Sequence, residues 1–263
     1  MHAVSRLGAD LPSITAAERA VADALPIDVP ADAARDAVAR VPLWFHTFGL
    51  NRAAGIYTQG VARDHRYRLP AFPSSFAGLS VLDVGTFDGF YAFLAEARGA
   101  SRVLAVDNEQ YVDWVRARWG RELLGGEGFR TIAELTGSWV EYRRLDAFGL
   151  GDLDERFDVV LCFGILHRIE DPVGLLRVLR SRLAPWGRVL LETYGSLRPA
   201  SDPSVHVPDP GEVYDRDEYV YWGFTSESIR RLGSVAGFQA WDLADAPVID
   251  GHPRLIGALR VRE

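Results

Sequence analysis

Val81-Leu82-Asp83-Val84-Gly85-Thr86-Phe87-Asp88-Gly89-Phe90 is the stretch that decides how this chain folds. A short apolar run of the kind that forms a buried strand passes into Gly-x-x-x-Gly and then into helical spacing from Gly89 to Arg98. Glycines at 85 and 89 let the main chain turn sharply and approach a ligand at the carboxyl end of that strand, the usual crevice of an open α/β sheet. Absent is the Gly-x-Gly-x-x-Gly by which dinucleotide enzymes admit a pyrophosphate at a helix N-terminus. A ligand without a pyrophosphate is therefore favoured.

Working outward, short apolar runs alternate with helical ones, the pattern of a parallel sheet covered on both faces. Strands are expected at Ser80 to Val84, Arg102 to Val106, Trp139 to Arg143, Phe157 to Cys162 and Arg188 to Thr193, with later ones near Gln239 to Leu243 and Leu255 to Arg262. Helices are expected at Gly89 to Arg98, Gln110 to Leu123, Pro172 to Leu183 and Thr225 to Ala236, the third opened by Asp171 with Pro172 in its first turn. Two N-terminal helices, Thr15 to Leu25 and Ala31 to Val41, are separated by Pro26 and Pro30. From Pro42 to Pro73 the chain is aromatic, Gly-interrupted and not regularly helical, so it is expected to lie over something. Residues 1–73 thus read as a helical and lid segment, and 74–263 as the ligand-binding domain. The Pro-, Asp- and Tyr-rich stretch at about 195–224 reads as a substrate lid inserted after the fifth strand.

Composition narrows the chemistry. Among 263 residues the 29 basic ones are all arginine, so Schiff-base catalysis, P-loop phosphate binding and kinase-type catalysis are excluded for want of a lysine. A net charge of -7 argues against a surface dominated by phosphate contacts, while leaving a local basic patch open. One cysteine, Cys162, permits neither an internal disulfide nor a Cys-based zinc cluster, and the six histidines show no metal-ligand spacing. No signal segment or membrane-length apolar run is apparent, so a soluble cytoplasmic protein is expected.

Asp107 ends the second strand twenty-two residues after Gly85, where a carboxylate can accept from both hydroxyls of a ribose. Asp146 follows the third strand, where an adenine amino group would sit. Taken singly, Asp107 could be a helix cap and the glycines mere turn residues. Together on one sheet edge, and without the dinucleotide motif, they point to S-adenosylmethionine (SAM) rather than NAD.

The chain resembles the class I SAM-dependent methyltransferases, and more closely the branch of the bacterial tRNA wobble-uridine carboxymethyltransferases. The likeness rests on Trp44-Phe45-His46-Thr47, Gly60 followed by Asp64-His65-Arg66, Val81 to Phe93, Phe163-Gly164-Ile165-Leu166-His167 and Leu190-Leu191-Glu192-Thr193, and spans roughly 42 to 245. It implies a Rossmann-like, mostly parallel seven-stranded sheet with helices on both faces. It also implies that Asp83, Gly85 and Gly89 line the methionine part of SAM, Asp107 the ribose, and Asp146 with Ala147 the adenine. Thr86, Asn108 and Phe163 complete the candidate cofactor-binding set, and S-adenosylhomocysteine (SAH) is the product. Two features depart from that branch: its lysines are missing, and Leu166-His167 stands where it usually has a tyrosine. Arginines such as Arg63, Arg66 and Arg68 are available instead, but Arg and Lys are not interchangeable at a specific contact.

Methyl transfer from a sulfonium is an in-line displacement that mainly needs alignment of an unprotonated acceptor. Candidate bases are His167, His46 and Glu192, against which stand structural roles for the two histidines and an arginine partner for the glutamate. Trp44, Tyr57, Tyr194, Tyr219, Tyr221 and Trp222 are the candidate substrate-binding rings, with Tyr214 and Arg216 nearby in the lid. The leading expectation is an N- or O-methyltransferase acting on a small molecule of specialised metabolism. The alternatives are wobble-base modification of tRNA and a non-catalytic module that holds a nucleoside. Exposed N-terminal aromatics can be covered by a second copy as readily as by the lid, which leaves a homo-oligomer open.

Overall fold

The computed structural model describes residues 13–62, 65–209, 219–249 and 252–262. At the N-terminus α1 (Ala16–Ala22) and α2 (Ala31–Arg40) flank the two prolines, and α1 opens with a capping box in which Thr15 and Glu18 exchange side-chain to backbone bonds. The aromatic stretch then forms a small hairpin of β1 (Gly49–Asn51) and β2 (Ile56–Tyr57), followed by the short α3 (His65–Ala71). Its expected irregularity is therefore a hairpin plus one brief helix.

Seven strands make the central sheet: β3 (Ser80–Val84), β4 (Arg102–Asp107), β5 (Glu141–Arg144), β6 (Phe157–Phe163), β7 (Leu183–Tyr194), β10 (Ala240–Ile249) and β11 (His252–Arg260). Their order is β10-β11-β7-β6-β3-β4-β5. Strands β3 to β7 pair in parallel, and β11 enters antiparallel between β7 and β10. Strand order reverses at β3, since β4 lies on one side of it and β6 on the other. The switch point between β3 and β6 is where such sheets open a ligand crevice.

Packed against the sheet are α4 (Phe90–Ala97), α5 (Tyr111–Trp119), α6 (Glu127–Thr136), α7 (Pro172–Ser181) and α8 (Ser226–Ala236). Asp171 caps α7 by accepting from Gly174 N–H at 2.8 Å, with Pro172 in the first turn as the sequence indicates. The two sheet faces have separate cores. Phe76, Phe90 and Leu94 meet Ala34, Trp44 and Phe48 of the N-terminal segment on one face, and Leu175, Leu179, Ile229 and Leu259 pack on the other. Burying each such Leu or Phe contributes about 1.5–3 kcal/mol.

The helix expected from Gln110 to Leu123 ends early, at Trp119, and a further helix, α6, stands where the sequence reading had none. Gly120, at φ 62°, stops α5, and after Gly125 and Gly126, both at positive φ, α6 begins. Strand β5 starts two residues later than expected because Trp139, 52% exposed, ties its N–H to Glu96 instead of a neighbouring strand. Within the insertion after β7, β8 (Val205–His206) pairs with β9 (Gly223–Phe224), and Ser196 N–H donates to the Phe224 carbonyl, folding the segment back onto the end of β7. Tyr214 and Arg216 lie outside the described residues. No helix among the described residues is long and apolar enough to cross a membrane.

Candidate active site

Beyond Val84 the chain turns through Gly85 (φ 73°), Phe87 (φ 52°) and Gly89 (φ 85°) before α4 begins. Gly85 and Thr86 donate their N–H groups to the Val106 carbonyl of β4. The φ of 73° at Gly85 is one that glycine adopts freely, and a Cβ there would also stand 2.2 Å from the Cδ1 tip of Ile165, which would have to turn aside. Above this turn lies a cavity of about 460 Å³.

The cavity gathers Asp83, Gly85, Thr86, Asp107, Asn108, Asp146, Ala147 and Phe163 from the carboxyl ends of four parallel strands. Thr86 hydroxyl donates to Asp83 at 2.7 Å. Asp107 accepts from Phe87 N–H at 2.9 Å through one oxygen and from Glu109 N–H at 2.8 Å through the other. Asp146 receives the Asn108 amide at 3.0 Å and Phe148 N–H at 2.9 Å, which caps a turn of 3-10 helix at Ala147–Asp152. Burial pushes Asp83 and Asp107 up to about 6. Three carboxylates in one lining can accept from an ammonium, from hydroxyls and from an amino group, and this acceptor set fits SAM.

Gly89 does not line the cavity. A Cβ there would meet Phe129 at 2.5 Å and Phe93 at 2.7 Å, so the residue serves the packing of α4 against α6.

The three candidate bases part company. His46 and His167 line the cavity, whereas Glu192 does not. Fully buried Glu192 takes Arg68 on one oxygen, at 2.6 Å to the nearer nitrogen, and Arg254 on the other at 2.9 Å. His167 presents Nδ1 to Thr193 Oγ1 at 3.2 Å and to Tyr194 N–H at 3.3 Å, while no partner meets Nε2 among the described residues. Burial, reinforced by Arg168, Arg254 and Arg68, holds its pKa well below the usual imidazole value. A neutral ring that accepts the Tyr194 N–H at Nδ1 carries its proton on Nε2. The His46 ring is buried with its edges against Phe45 and Tyr91.

Of the candidate substrate rings, Tyr219 and Tyr221 line the cavity, and Tyr221 N–H donates to the His167 carbonyl at 2.8 Å. The other four are committed elsewhere. Trp44 is buried with its indole on the Val38 carbonyl at 3.2 Å, and Tyr57 hydroxyl bonds Asp23 at 3.0 Å. Tyr194 is buried beneath Arg254, 4.1 Å from guanidinium to ring, and Trp222 bonds the Ile169 carbonyl at 2.7 Å. An aromatic residue has the same sequence signature whether it faces a ligand or a core.

Sequence reasoning missed a ring wall. Phe45 stacks on Phe87 at 4.2 Å, Phe87 stacks on Tyr111 at 3.7 Å, and Trp114 stands edge-on to Phe45. All four line the cavity. The spacing of Tyr111 and Trp114 on one helix face was a usable signal. Arg254, also in the lining, gave none, because only the pairing of β11 with β7 brings it to Glu192.

Several known proteins are similar. The tRNA U34 carboxymethyltransferase of Campylobacter hominis is 32% identical over 116 residues, 44% of this chain and 36% of that protein. The ubiquinone biosynthesis O-methyltransferase of Pseudomonas putida is 31% identical over 125 residues, 46% of each chain. The chain thus spans less than half the length of these two relatives. In fold it is similar to the Burkholderia thailandensis 1,6-didemethyltoxoflavin-N1-methyltransferase crystallised with 1,6-didemethyltoxoflavin and SAH, with a TM-score of 0.52, 19% identity and coverage of 97% of this chain and 94% of that one. Residues 56–243 match the family described as a methyltransferase domain, and with a class I sheet and a cavity that suits SAM, the chain belongs to that methyltransferase family.

Proposed function

We propose that this protein transfers the methyl group of SAM to a nitrogen or oxygen of a small-molecule acceptor in specialised metabolism. The observation that carries the reading is the aromatic wall of the cavity. At about 460 Å³ it has the size of a small-molecule site, and it is walled by Phe45, Tyr91, Phe163, Tyr219 and Tyr221. Planar, partly apolar acceptors or amines suit such walls. Small-molecule acceptors are also what the names of the ubiquinone and toxoflavin enzymes describe.

In this reading Asp83 takes the ammonium of the methionine part, Asp107 the ribose hydroxyls, and Asp146 with Ala147 the adenine edge. When bound, SAM supplies an electrophilic methyl carbon on a positively charged sulfur. The chain's own contribution is alignment and exclusion of water. Glu192 is locked between two arginines, the His46 ring is packed among aromatics, and His167 keeps its proton on Nε2. His167 therefore acts as a hydrogen-bond donor that positions, and the acceptor arrives already unprotonated.

The test follows a labelled methyl group. Incubated with methyl-labelled SAM and a cell extract, the protein is expected to label the low-mass fraction, and label confined to tRNA would overturn the reading. The 32% identity to the tRNA enzyme supports wobble-base modification as a second reading. That reading requires tRNA binding that weakens steeply with salt, and recovery of a carboxylated SAM from denatured protein.

A further inference from the structure

The aromatic strap around residues 44–48 is secured from behind by its own segment. Val61 and Ala62 donate their N–H groups to the carbonyls of Trp44 and Phe45, and Thr58 hydroxyl donates to that of His46 at 2.8 Å. Its N–H groups point the other way. Those of Phe45 and His46 converge on one oxygen of Asp88, at 2.6 and 2.9 Å, across more than forty residues of chain. Asp88 belongs to the turn between β3 and α4, the same turn that supplies Gly85 and Thr86 to the cavity.

This carboxylate is expensive to keep. It is 3% exposed, and among the described residues no cation pairs with it. Its charged neighbours are acids, Glu127 and Asp107, and burial pushes it up to about 7. Space beside it is reserved as well, since a Cβ on Gly128 would stand 2.6 Å from its other oxygen. A buried acid without a counter-ion is poor economy for stability alone. What it secures is the ring wall. Phe45, held by Asp88, stacks on Phe87, the residue just before Asp88, and both rings line the cavity.

We infer that Asp88 is a positioning residue that latches the aromatic strap onto the cofactor turn, so that closure of the cavity and binding of the cofactor are coupled through two backbone N–H groups. The coupling rests on the assignment of the cavity to SAM and is independent of the acceptor. Because a carboxylate oxygen accepts without needing a hydrogen of its own, an asparagine with its carbonyl in the same place keeps the latch, and an alanine removes it.

The experiment uses SAH, which binds without turning over. Asp88→Ala is expected to weaken SAH binding tenfold or more by calorimetry and to speed amide exchange at Phe45 and His46 while β6 stays protected. Asp88→Asn is expected to restore affinity to within about threefold of the parent. SAH binding to Asp88→Ala at the parental affinity would overturn the latch. A second measurement needs no variant: in the parent, saturating SAH is expected to slow exchange of the Phe45 and His46 amides, and unchanged exchange would equally overturn it. Failure of the parent to bind SAH at all would instead count against the cofactor assignment.

Discussion

Glu192 and Arg68 meet at 2.6 Å with both side chains almost wholly out of solvent, one at the end of β7 and the other on α3. Removing one member of a buried ion pair leaves the other uncompensated, at a cost of about 3–5 kcal/mol. Glu192→Ala strands Arg254 as well, so its unfolding free energy is expected to fall by an amount at the upper end of that range. Arg68→Ala, which leaves Glu192 with Arg254, is expected to cost less. Urea unfolding of the two variants side by side checks the order.

Asp107 holds the turn through Phe87 N–H and Glu109 N–H, and under the proposed reading it also meets the ribose. Hydrogen bonds to a charged group are worth about 1.5–3 kcal/mol. Asp107→Ala is accordingly expected to lower SAH affinity by roughly ten- to a hundredfold, at 1.4 kcal/mol per factor of ten. Titration calorimetry showing parental affinity would remove Asp107 from the cofactor site.

Three acids share one acid-base behaviour. Asp83, Asp88 and Asp107 are raised from the usual 3.8 to about 6, 7 and 6, in each case chiefly by burial. An acid raised on folding contributes stability that is complete below its unfolded value and is lost as pH rises through its folded value. Their contribution in the ligand-free protein is therefore expected to decline from about pH 4 to about pH 7. Asp88→Asn, with one titrating acid fewer, is expected to show a shallower decline, measured by chemical denaturation across that range.

A cationic ligand reverses the preference, because a bound ammonium favours the ionised carboxylate. SAM binding near pH 6 is expected to release protons. Calorimetry in two buffers of different ionisation enthalpy reads that release directly, and identical heats in both would contradict it.

Gly85 is constrained twice, by φ of 73° and by Ile165 at 2.2 Å from a notional Cβ. The left-handed backbone alone costs a non-glycine residue about 1–2 kcal/mol. Gly85→Ala is expected to lower the melting temperature and SAH affinity together. Adding Ile165→Ala is expected to recover part of the loss by relieving the contact but not the backbone strain.

Much of this site is legible in the sequence. The apolar run into Gly-x-x-x-Gly and the position of Asp107 follow from strand period and crossover length, which are local or nearly so. Local signals ended where tertiary packing chose between equivalent readings. Tyr57 and Tyr221 look alike in sequence, yet one is tied to Asp23 and the other lines the cavity. Gly85 and Gly89 look alike too, and only the neighbours Ile165 and Phe129 tell them apart. Asp88, read as part of the motif, owes its contacts to a strap more than forty residues upstream.

The antiparallel entry of β11 between β7 and β10 has a consequence for synthesis on the ribosome. Until His252–Arg260 has emerged, β7 has one open edge and β10 has no partner, and Arg254 is missing from the cavity wall. Chains leave the ribosome N-terminus first, at about 5–20 residues per second. The part of the pocket built from β3 to β5 is thus translated well before Arg254 completes its wall. A nascent chain passes through a stage with an unpaired, aggregation-prone strand edge that only the last strand removes.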